Sequence, residues 1–149
     1  MNLYSRNEEI IKDEAFNCAQ KLVGNFCGTF GVKPSEGIRM ARALGGGLRA
    51  GEACGALVGA LLIVGMKYGT AQEGDRESRA LCDQKAAELS LRFRGLHGQI
   101  TCRQLLGIDT SVGNNRQAAA EMGLFREICP NIVIQTIELL EELGYGDEK

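Results

Sequence analysis

The sequence is short of several things at once. It holds two prolines, one histidine and no C-x-x-C pair in 149 residues. With little proline to interrupt helices, and with no strand-like alternation of apolar and polar residues, the pattern points to an all-α protein. The absence of C-x-x-C knuckles, and of Cys/His clusters at finger spacing, rules out the local metal motifs. A large excess of either charge is missing too. The formal net charge is −2, so nothing global draws the chain to nucleic acid or an anionic membrane. The opening stretch MNLYSRNEEIIKDEAFN has no apolar h-region and carries acids early, so no secretory signal is expected. The longest apolar run is Ala53–Met66, 14 residues between Glu52 and Lys67. A membrane span needs about 20, so this run is expected to be a core helix despite its Gly55/Gly59 spacing. These features together predict a cytoplasmic protein. In a reducing compartment six cysteines are not a disulfide framework, which leaves packing, metal binding or redox chemistry.

What is present is an ordinary globular balance, 44% hydrophobic and 24% charged residues, which excludes disorder. The length fits one domain over residues 1–149. Apolar periodicity, punctuated by glycine, predicts a bundle of about six or seven helices. They span roughly 8–30, 35–44 with Ser35 as cap, 52–68, and 75–96 with Asp75 as cap. A short helix opens in a Thr101/Gln104 capping box, another covers 116–122, and the last runs over 130–143. The helix over 52–68 is apolar on every side, which places it at the centre of the bundle. Its Gly55, Gly59 and Gly65 each cost about 1 kcal/mol of helix propensity, a cost that close approach of neighbouring backbones or of a ligand would offset.

Helical phase sorts the sulfurs. Cys18 lies beside the stripe Ile11, Ala15, Leu22 and Phe26, and Cys27 points the other way, roughly 13 Å further along the axis. Cys82 shares a face with Ala86, Leu89 and Phe93. Cys27 and Cys82 therefore read as small hydrophobes in the core. Cys54, Cys102 and Cys129 fall instead at helix starts, Cys129 as the N-cap before Pro130. Unpaired amides and the helix dipole favour an anion there, so such a thiol can ionise near neutral pH. The gaps between Cys18, Cys54, Cys102 and Cys129 are 36, 48 and 27 residues. Any common site must be assembled by folding, one sulfur from each of four helices.

Two further stretches bear on chemistry. GGGLRAG, residues 45–51, resembles a phosphate cradle with Arg49 and a following helix N-terminus. It lacks the Gly-Lys-Ser/Thr ending of a P-loop, and no strand precedes it. Gly45, Gly46 and Gly47 are expected instead to give Cys54 room and amide donors. His97, in FRGLHGQ, could serve Cys102 as a base, but a surface loop is its expected place. Arg92 and Arg94 form too small a basic patch for nucleic acid, and the acidic tail reads as a solvated helix face.

The chain resembles the redox-active family labelled by the cysteine pattern C…GCAxxG…C…C. Cys18 stands in Asn-Cys-Ala-Gln, and Cys54 opens Cys54-Gly55-Ala56-Leu57-Val58-Gly59 after the glycine triplet. Cys102 and Cys129 follow in the expected order. The label writes Gly-Cys-Ala where this chain reads Ala53-Cys54-Gly55-Ala56. The likeness runs over roughly residues 8–143, and Cys27 and Cys82 lie outside the pattern. It implies redox activity and supplies no substrate or partner. Three function classes follow. The four thiolates could hold an iron–sulfur cluster for electron transfer or redox sensing. Cysteine pairs could cycle as dithiol and disulfide without a cofactor. The bundle could be a binding or structural protein with buried or zinc-bound cysteines.

Overall fold

A computed structural model of the protein describes residues 8–146. The stretch 1–7, on which the reading of the N-terminus partly rests, and the last three residues of the acidic tail lie outside the described residues. The fold is all-α. Among the described residues nine helices follow one another: α1 Glu8–Lys12, α2 Cys18–Phe26, α3 Pro34–Ala41, α4 Gly55–Tyr68, α5 Arg76–His97, α6 Cys102–Leu106, α7 Asn115–Glu121, α8 Leu124–Glu127 and α9 Cys129–Glu142. None is long and apolar enough to cross a membrane.

The first expected helix, 8–30, is in fact three pieces. Asp13 accepts a hydrogen bond from the Ala15 amide at 2.9 Å and ends α1, because a short side-chain acceptor offers the backbone an alternative to the helix. Asn17 then caps α2 in a full capping box: its side chain accepts from the Gln20 amide, while Gln20 accepts from the Asn17 amide. A 3₁₀ turn over Cys27–Phe30 closes the third piece at left-handed Gly31. Helix α3 begins at Pro34 with Lys33 as its cap, not Ser35, since proline's fixed φ suits the first helical position. Asp75 and Thr101 cap α5 and α6 as expected. In the α6 box the Gln104 side chain meets the Thr101 hydroxyl at 2.6 Å rather than the backbone.

Helix α4 packs against α2, α5 and α9. Ala56, Ala60 and Ile63 are fully buried there, in one core with Leu22 and Phe26 of α2, Phe93 of α5 and Ile137 of α9. It is not surrounded everywhere, for Leu62 stays 38% exposed and Gly65 faces open space. Cys27 is fully buried, against Gly37 of α3, and Cys82 is partly buried against the core.

Residues 46–49 do what the sequence does not announce. Gly46, Gly47, Leu48 and Arg49 all have φ between 59° and 65°, a turn of left-handed helix. Glycine adopts this freely, whereas a side-chain-bearing residue gives up roughly 1–2 kcal/mol. Leu48 is 43% exposed and has little packing to lose. Leu48→Gly is therefore expected to raise unfolding free energy by about 1 kcal/mol in denaturant melts. A loss of stability would show that the leucine side chain, not its backbone, sets the balance.

Candidate functional site

Two strands of loop cross just ahead of α4 and α6. Ala53 and Thr101 form an isolated antiparallel bridge. The Cys54 amide donates to the Ile100 carbonyl at 2.7 Å, and the Cys102 amide donates to the Glu52 carbonyl at 2.6 Å. Arg103 locks the crossing by pairing with the Glu52 carboxylate at 2.6 Å and the Gly51 carbonyl at 3.2 Å. This sets Cys54, the N-cap of α4, beside Cys102, the first residue of α6.

Glycines close the rest of the frame. A Cβ at Gly47 would lie 2.7 Å from Cys102 Cβ, and one at Gly45 would lie 2.5 Å from the Asn17 amide group. At Gly55 it would stand 3.1 Å from the Ala19 nitrogen and 3.3 Å from Cys18 Cβ, and at Gly59 2.8 Å from the Ala19 carbonyl oxygen. Bare backbone at these positions lets the heads of α2 and α4 touch, which carries Cys18 next to Cys54. Cys129 arrives from the far side. It is the first residue of α9, not its N-cap. Helix α8 runs straight into α9 through Ile128, whose amide reaches Leu124 O at 2.9 Å while Ile132 N returns to Ile128 O at 3.3 Å.

All four of these cysteines thus stand at the head of a helix and line one cleft of about 1100 Å³, together with Lys21, Arg49 and Arg116. All six cysteines are free thiols. Inside the cleft the Cys18 and Cys129 sulfurs are neighbours, and each is the largest influence on the other's ionisation. The Cys18 thiol, ahead of the charges of Lys21 and Arg116, holds the Cys129 thiol below its ordinary range. Cys129 in turn raises Cys18, with burial and the neighbouring sulfurs acting the same way. Cys54 departs from the sequence expectation of a thiolate. Burial pushes it up to about 12, although the Ala56 and Leu57 amides pull the other way. At 6% exposure, desolvation outweighs the helix terminus. Burial likewise raises Cys102, with the charges of Cys129 and Asp109 adding to it, while Arg116 and the Thr110 side chain oppose.

His97 does not join them. It ends α5, half-buried against Phe93 with ring centroids 4.4 Å apart, and it is not among the residues that line the cleft. Among the described residues, no group of three or more Cys, His, Asp or Glu side chains stands close enough to hold a single metal ion.

Residues 16–143, nearly the whole chain and all four cleft cysteines, match the family described as "Putative redox-active protein (C_GCAxxG_C_C)". The chain belongs to this family. It matches no curated protein and no solved structure. Cys18, Cys54, Cys102 and Cys129 all fall within the matched range, and each lines the cleft. Sequence reasoning did not place Cys18 at a helix start, though the Asn17/Gln20 spacing of a capping box marks one. Nor did it find Lys21, three residues after Cys18 on α2, or Arg116, whose approach to the sulfurs depends on how α7 packs.

Proposed function

We propose that this protein is a cofactor-free dithiol–disulfide redox protein in which Cys129 is the nucleophile and Cys18 the resolving thiol. The observation that carries this reading is that Cys18 and Cys129 line one cleft as neighbours, each the largest influence on the other's ionisation. One raised and one lowered thiol side by side support the pairing of resolving thiol and attacking thiolate that thiol–disulfide exchange uses. The Cys129 thiolate attacks one sulfur of a substrate disulfide. The substrate S–S bond breaks, a bond from Cys129 to the attacked sulfur forms, and the departing thiolate takes the proton from Cys18. Cys18, now a thiolate, attacks Cys129 Sγ and displaces the second substrate thiolate, which takes a proton from solvent. Two electrons pass from protein to substrate, and a Cys18–Cys129 disulfide remains.

A specific observation also favours a second reading. All four cysteines line one cleft, and four thiolates are the donor set of an iron–sulfur cluster. In that case Cys18, Cys54, Cys102 and Cys129 would hold the cluster, and it would supply one-electron transfer. A single zinc ion suits the arrangement less well, because tetrahedral zinc needs its sulfurs at about 2.3 Å and no three of the side chains gather round one point.

One preparation separates the two. Protein purified without oxygen is expected to be colourless, and mild oxidation followed by peptide mapping is expected to link Cys18 with Cys129. Brown sulfur-to-iron absorption that disappears in Cys54→Ser and persists in Cys82→Ser would establish the cluster instead. Links through Cys27, or links only between molecules, would defeat the dithiol assignment.

A further inference from the structure

The sulfurs share their cleft with an excess of positive charge that the protein's balance of −2 conceals. Apart from an ion pair between Lys12 and Glu8 at 2.6 Å, the lining holds five basic side chains, Lys21, Arg42, Arg49, Arg116 and Arg126, against one acid, Glu14. Among the described residues, the ion pairs are Lys12–Glu8, Arg92–Glu142 and Arg103–Glu52, so no carboxylate neutralises Arg49 or Arg116. The two guanidinium groups converge. A Cβ at Gly46 would lie 3.7 Å from Arg116 Nη1 and 3.8 Å from Arg49 Nη1. Placing them there means holding like charges together, and at Arg49 it also means a left-handed backbone, φ 59°. Backbone strain of this kind gathers at functional sites. Gly47, which follows Gly46, lies against Cys102, and the Arg116 charge reaches both Cys102 and Cys129. The cationic pair and the thiols therefore belong to one site.

Resting on the dithiol reading above, the geometry points to an anionic low-molecular-weight disulfide as the substrate, with Arg49 and Arg116 receiving its carboxylate or comparable oxyanion while Cys129 attacks its sulfur. Guanidinium groups match carboxylates through paired N–H donors, and an unneutralised basic cleft raises the local concentration and encounter rate of anions. Burial, followed by the Arg116 and Arg42 charges, lowers the Arg49 pKa, as expected of a guanidinium that lacks its counter-ion.

Three disulfides of one skeleton test this: bis(2-carboxyethyl), bis(2-hydroxyethyl) and bis(2-aminoethyl) disulfide. Each is reacted with the reduced full chain, and each rate is divided by that of the same disulfide with dithiothreitol, which removes intrinsic reactivity. The normalised rate for the dicarboxylate is expected to exceed that of the neutral compound about tenfold, with the diamine slowest, and the advantage should shrink with added salt. In Arg49→Gln the anionic-to-neutral ratio should fall at least fivefold, while Arg49→Lys keeps most of it. Arg49 is the cleaner position, because Lys21 and Arg116 are the charges that lower Cys129. Equal normalised rates for all three compounds, or a ratio that survives the Arg49→Gln/Arg116→Gln double variant, would overturn the anionic assignment and leave the dithiol standing. A folded protein that reduces none of the three would overturn the dithiol reading, and this inference with it.

Discussion

Replacing Cys129 with serine is expected to lower the alkylation rate of the cleft at pH 7 by about a hundredfold, measured peptide by peptide with iodoacetamide. An ordinary thiol near its usual pKa is only a few per cent thiolate at that pH, and the thiolate is the nucleophile. Cys18, Cys54 and Cys102 are all raised above the ordinary value, whereas Cys129 is lowered. The sign in pH follows. The Cys129 rate should climb with rising pH through a midpoint below the ordinary thiol value, and the other three should climb only in more alkaline solution. Cys18→Ala removes the neighbour that most lowers Cys129 and should move that midpoint upward. Cys18→Ser keeps a hydroxyl in its place and should move it less. If the Cys54 peptide were labelled first at pH 7, the assignment of the nucleophile would be wrong.

The second large effect lies in packing. Gly59→Ala should destabilise the fold by about 2 kcal/mol, whereas Gly65→Ala, six residues on in the same helix, should stabilise it by up to about 1 kcal/mol. Alanine gains helix propensity at both sites. At Gly59, however, the new methyl would meet the Ala19 carbonyl oxygen at 2.8 Å and Leu22 Cβ at 2.9 Å, mostly atoms that move only with α2. At Gly65 nothing lies within 4 Å. Urea melts of the two variants decide the matter, and equal shifts of the same sign would show that α2 and α4 are less tightly joined. Since Cys18 opens α2 and Cys54 caps α4, Gly59→Ala should also loosen the meeting of these sulfurs. That loosening can be read as faster alkylation of Cys54.

Local chemistry made much of this legible in advance. Asp75 and Thr101 cap the helices they were expected to cap, because a cap is a contact over three residues and needs nothing from elsewhere in the chain. The apolar stretch 53–66 could only be a helix against a core, and Ala56, Ala60 and Ile63 are fully buried. Cys54 and Cys102 were placed at helix heads by the glycines and the Thr101 cap around them. Where the reading was local but incomplete, the reason is visible. Asp13 and Asn17 break the first helix, and Ile128, not Cys129, caps the last because α8 runs directly into it.

The sequence by itself therefore determined an all-α chain with one apolar, glycine-bearing helix and with Cys54 and Cys102 at helix heads. Only the tertiary structure decided that Cys18, Cys54, Cys102 and Cys129 share a cleft, since gaps of 36, 48 and 27 residues carry no distance information until the helices pack. It also decided which thiol ionises. A helix start lowers the pKa of any thiol near it, but Cys54 is raised because it is desolvated, and Cys129 is lowered because Cys18, Lys21 and Arg116 surround it. Burial and the approach of charges from distant segments are properties of the assembled fold, and at these sulfurs they outweigh what the neighbours in sequence supply.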